Sequence, residues 1–138
     1  MIKVDFGKAE EKSHLDLAKE KIIREIDNYD TSMEVNSFKL NGISIWLDKD
    51  TRVGLMNSIN IEKAAGKSES TLWLNGIKLV VNCDAAIKML SLLELYALSC
   101  FNKTAEHKKS VNSLTTINEI QNYNYKIGYP EKLDFKIQ

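Results

Sequence analysis

An α+β fold is what the sequence predicts: two Asn-Gly β-hairpins, each followed by a helix, forming an antiparallel sheet with helices on one face and an extended C-terminal tail. Three observations predict it. The dipeptides Asn41-Gly42 and Asn75-Gly76 each interrupt a run of alternating apolar residues, and Asn-Gly supplies the two positive φ angles of a type I′ turn. Each hairpin leads through aspartates into a stretch of helical periodicity. The two stretches also superimpose without a gap at an offset of 34 residues, the mark of a repeated ββα unit. With 138 residues, 43% hydrophobic and 28% charged, the chain suits one domain that holds its core without staples.

In chain order, residues 1–32 come first. Ile2, Val4 and Phe6 alternate with Lys3 and Asp5, a short half-buried strand ending at Gly7. From about Glu10 to Tyr29, the residues Leu15, Ala18, Ile22, Ile26 and Tyr29 recur at helical spacing, so an amphipathic helix lies against something. Residues 33–66 are the first ββα unit. Val35 to Leu47 turns on Asn41-Gly42, Asp48 and Asp50 cap, and a helix runs from roughly Lys49 to Ala65, closed by Gly66.

Residues 70–103 are the second unit, and the rest of the chain is organised around it. With the turn at Asn75-Gly76, Leu72, Leu74, Ile77, Leu79 and Val81 share one face, and Thr71, Trp73, Lys78 and Val80 the other. Asn82 or Asp84 caps the next helix, in which only Lys88, Ser91, Glu94 and Ser99 are polar between Ala85 and Phe101. Its apolar arc and the hairpin need each other, so Leu72, Leu79, Met89, Leu90, Leu93, Ala97 and Phe101 are the expected core. Leu95 and Leu98 fall inside the narrow polar stripe instead. A second cover is implied for them, either the amphipathic helix or another subunit.

Across residues 104–122, Thr104 is placed to cap a polar helix from Ala105 to Ser113, and Thr116-Ile117-Asn118-Glu119 has capping-box spacing. Residues 123–138 are the extended tail. It holds the only proline, Pro130, with Tyr123, Tyr125 and Tyr129, and finishes on the alternation Leu133, Phe135, Ile137. Such a segment docks on its own domain or on a neighbour.

Charge and motifs exclude several classes. Nineteen basic residues balance 19 acidic ones, which leaves no footprint for nucleic acid or an anionic membrane, and no segment reads as a signal or membrane anchor. Cys83 and Cys100 stand about 25 Å apart along one predicted helix and cannot pair, so both read as reduced thiols. His14 and His107 have no ligand-spaced partner, and His107 reads as a structural histidine. Asp48-Lys49-Asp50 lacks the Gly and Glu of a calcium loop and reads as helix capping. Phosphate loops and nucleophile elbows are missing, so no catalytic, cofactor or metal site is expected and the chain is not read as an enzyme. The expected contact residues are Trp46 and Trp73, placed opposite the main apolar rows, together with Leu95, Leu98, Tyr125, Tyr129, Pro130, Leu133 and Phe135. For the two tryptophans, a small second core under the tail and an interface anchor are both open.

Arg52, Ser58-Ile59, Lys63-Ala64-Ala65-Gly66-Lys67-Ser68-Glu69, Thr71-Leu72-Trp73-Leu74, Met89-Leu90, Leu93-Glu94-Leu95-Tyr96-Ala97, His107, Leu114-Thr115-Thr116 and Gly128-Tyr129-Pro130-Glu131-Lys132-Leu133 form a further pattern. Through these residues the chain resembles, over about two thirds of its length, an uncharacterised domain family of phage and prophage tail-associated proteins, found in gut Bacteroidota phages among others. The first fifty residues lie outside the resemblance. What the resemblance implies is a virion structural protein, tail-associated, made in the bacterial host cytoplasm. Its partners would be other virion proteins or copies of itself in a homo-oligomer. A non-virion assembly chaperone or a host-directed binding module is the alternative.

Overall fold

The computed structural model describes residues 12 to 137. The expected strand at Ile2, Val4 and Phe6 lies outside them. Four helices and five strands follow one another: α1 (His14–Asp30), β1 (Phe38–Leu40), β2 (Ile43–Ile45), α2 (Lys49–Ala64), β3 (Glu69–Leu74), β4 (Ile77–Asn82), α3 (Cys83–Asn112), α4 (Ile117–Gln121) and β5 (Asp134–Phe135). The fold is mixed α+β, with helices packed on small sheets.

Local chemistry accounts for most boundaries. Both hairpins turn on Asn-Gly, with Asn41 at φ 50, Gly42 at φ 83, Asn75 at φ 50 and Gly76 at φ 79, so that Leu40 faces Ile43 and Leu74 faces Ile77. These are the left-handed angles of a type I′ turn, which Gly adopts without a Cβ penalty. Side-chain oxygens of Ser13, Asp48, Asn82 and Thr116 each accept a backbone N–H in the first turn of the helix they precede.

Two expectations about the sheet are corrected. The hairpins do not join: among the described residues β3 and β4 pair only with each other, and a separate sheet has the order β2-β1-β5. Nor is that second sheet wholly antiparallel, because β5 runs parallel to β1, with Lys39 N–H donating to Leu133 C=O at 2.9 Å and Asn41 N–H to Phe135 C=O at 2.8 Å. With β2 on one side and the tail on the other, both edges of β1 are taken.

The third correction concerns α3. It does not stop near Phe101 to be restarted at Thr104, but runs through to Asn112 as one 30-residue helix, about 45 Å long at 1.5 Å per residue. Asn102-Lys103-Thr104 contains no Gly or Pro to break it, and the Thr104 hydroxyl is occupied elsewhere. The helix is the spine of the molecule. Its first half meets α2 and the hairpins, through Arg52–Glu94 near one end of α2 and Lys63–Asp84 near the other. Its second half meets α1, through Thr104–Asp30 and Lys108–Asp27.

The main core lies where both hairpins meet α2 and α3. Leu72, Leu79, Met89, Leu90 and Leu93 are buried there as expected. The 34-residue offset survives in three dimensions: Leu40 and Leu74, Ile45 and Leu79, Leu47 and Val81, and Ile59 and Leu93 are buried pair by pair in this one cluster. Ala97 is only partly buried, and Phe101 is exposed, contrary to its expected place in the core. On that side of α3, α2 begins only at Lys49 and α1 has already ended at Asp30, so Phe101 projects between the two helix ends.

Candidate functional site

The tail residues that were candidates for contact with a neighbour instead lie against their own domain. Phe135 packs edge-on to Phe38 at 5.7 Å between ring centroids, and Leu133 joins the core cluster. Tyr125 and Tyr129 both pack edge-on to Tyr29, at 5.8 and 5.5 Å, and Pro130 is half-buried beside them in sequence. Thr104 has a single hydroxyl proton and donates it to Asp30 at 2.8 Å, so Tyr129 O–H donates to Thr104 Oγ1, also at 2.8 Å.

His107 belongs to the same clasp. Its Nε2 lies 2.8 Å from the Ile127 carbonyl, which can only accept, so this nitrogen carries a proton, and Nδ1 pairs with the Tyr123 hydroxyl at 2.6 Å. Lys132 closes the clasp, donating to Val35 C=O at 2.9 Å and to Ser37 Oγ at 2.9 Å. Tyr96 O–H donates to the same Val35 carbonyl at 2.6 Å. Burial pushes the Tyr96 phenol well above its usual range, raises the Cys100 thiol above its own and pushes the Lys132 amine below its own. The contacts of this cluster fasten the tail to α1 and α3.

Trp46 is the second candidate to move inward. Because β2 ends at Ile45, strand alternation no longer dictates its direction, and the indole packs edge-on to Phe38 at 6.3 Å and to Tyr96 at 6.0 Å. The Arg52 guanidinium lies 5.1 Å from the indole centroid. Arg52 is itself buried, donating from Nη1 to Leu47 C=O at 2.6 Å and from Nε to Glu94 at 2.5 Å. Sequence reasoning did not find this arginine's role. Its signal was only that a basic residue occupies an inward position in the first turn of α2.

What stays outside is a strip of α3. Leu95 is 62% exposed, Leu98 56% and Phe101 70%, and Trp73 is 67% exposed on the outer face of the second hairpin. The second cover expected for Leu95 and Leu98 is not α1, which packs along another side of α3 and farther down it. Beside the strip runs a shallow groove of about 330 Å³ lined by Lys49, Arg52, Glu94, Ala97, Leu98 and Phe101. The charge of Glu94 is taken by Arg52, so this part of the surface is apolar with its one carboxylate paired. Trp73, Leu95 and Leu98 are therefore exposed candidates for contact, and Phe101 joins them.

Among the described residues, no group of three His, Cys, Asp or Glu is placed to hold a metal ion, and no helix is long and apolar enough to cross a membrane. Comparison with known proteins finds no matching family model, no matching curated protein and no matching solved structure.

Proposed function

We propose that this chain is a structural module of a phage particle, tail-associated, that works by holding other virion proteins or further copies of itself. The particle assignment rests on the sequence resemblance from Arg52 to the C-terminus. The mode of action rests on one observation: Leu95, Leu98 and Phe101 stand exposed together on one helix, left open by the described elements around it. Fully burying a side chain of this kind is worth about 1.5–3 kcal/mol, so a partner that covers the strip gains from each of the three. Exposed clusters of large apolar residues on an otherwise well-packed domain mark interaction surfaces.

Quantitative mass spectrometry of purified particles of the encoding phage tests this reading. The expected result is the chain at a fixed ratio to the other tail proteins. A chain abundant in infected cells but absent from washed, tail-bearing particles contradicts it, and is the result expected of an assembly chaperone.

A further inference from the structure

The open face of α3 repeats a spacing that its buried face already uses. Inward, Leu90, Leu93, Cys100, Thr104, His107 and Val111 are buried at steps of three, four or seven residues. Outward, Ser91, Leu95, Leu98, Asn102 and Ala105 follow at steps of four, three, four and three, and all but the half-buried Ser91 are exposed. Alternating steps of three and four make a heptad seam, which a second helix fills by setting its own side chains into the gaps. One seam of α3 is filled by its own chain; the other is empty.

The charges along the empty seam identify what fits it. Its centre, from Ser91 to Ala105, carries none. Asp84 and Lys88 continue it toward the N-terminus of α3, and Glu106 and Lys109 toward the C-terminus. We propose that this face pairs with the same face of a second copy, as an antiparallel helix pair with Leu95 of one chain opposite Leu98 of the other. In that register Ser91 meets Asn102, Lys88 comes beside Ala105 and Glu106, and Asp84 meets Lys109. Every charge finds its opposite. A parallel pairing in register would set Asp84 on Asp84 and Lys88 on Lys88, and like charges so placed are destabilising.

Antiparallel pairing of identical faces is also a closed two-fold arrangement, which ends at a dimer and leaves the Trp73 face of each copy free for other contacts. Asp84 already meets Lys63, and Glu106 meets Lys103 at 3.0 Å, but both carboxylates are largely exposed, at 71% and 66%. Such surface pairs hold their partners weakly, so both remain open to a second copy.

This inference rests on reading the α3 strip as a contact surface. Analytical ultracentrifugation of the full chain tests it, with circular dichroism to show that each variant is folded. The wild-type chain should sediment as a dimer, and Leu98→Glu as a monomer. Asp84→Lys and Lys109→Asp should each weaken the dimer by about tenfold or more, and the two together should restore it. A wild-type chain that stays monomeric up to about 0.1 mM overturns the proposal, as does a double reversal no tighter than either single one. The virion reading fails separately: a dimer absent from particles removes that reading alone, and a monomer found in particles removes the pairing alone.

Discussion

Leu93 sits with no exposed surface between the hairpins and α2, at the position equivalent to Ile59 in the first unit. Leu93→Ala should lower stability by about 2–5 kcal/mol in urea unfolding, because the close-packed surroundings cannot collapse into the space. A loss below about 0.5 kcal/mol, a surface value, would contradict its place in the core. Tyr96→Phe should cost far less, about 0.5–1.5 kcal/mol, since Lys132 still donates to the Val35 carbonyl that the phenol leaves. The same cluster gives a pH dependence. Burial raises the Cys100 thiol above its ordinary 9.0, so above that pH the unfolded chain releases a proton that the folded chain keeps, and stability falls as pH rises. Burial lowers Lys132 from 10.5, and there the folded chain binds fewer protons, so its contribution rises with pH toward 10.5. Cys100→Ala should therefore flatten the alkaline decline in stability measured from pH 9 upward; an unchanged slope would show that the thiol is not protected by burial.

At the scale of elements, what was legible in the sequence is what short-range chemistry decides. Asn-Gly turns, the caps at Asp48, Asn82 and Thr116 and the alternation in β3 and β4 act over a few residues and stand where those signals place them, whereas Thr104 lies inside α3 and caps nothing. Partners far apart in sequence were not legible. Nothing near Phe38 announces that its strand takes a parallel neighbour from residues 134 and 135. Trp46 lies in the small second core under the tail that was one of its two readings, whereas Phe101 was placed inward by a helical wheel blind to where α1 and α2 end. The tail also changes its expected role. Deleting residues 132 to 138 removes β5, uncovers Phe38 and empties the Val35–Ser37 site of its ammonium, so the shortened chain should lose its cooperative urea transition or show a much lower midpoint. An unchanged midpoint would make the tail an accessory and return it to the surface available for assembly.

As a whole, the molecule is a spine with two sides. One side of α3 gathers the hairpins, α2, α1 and the tail, and the other keeps an uncharged strip of about three turns in water. That asymmetry, more than any reactive group, is what a function must use. A particle protein meets its neighbours in fixed geometry, and a helix braced along most of its length is a rigid element on which to build such contact. The direct measurement is competition during assembly. Wild-type chain and Leu98→Glu, each tagged differently, are expressed together in host cells infected with the encoding phage, and both are counted in purified particles by mass spectrometry. The account predicts that the variant, although folded by circular dichroism and equally abundant in the cell, is depleted from particles by about tenfold or more. Incorporation of both chains in the ratio of their cellular abundance would contradict it.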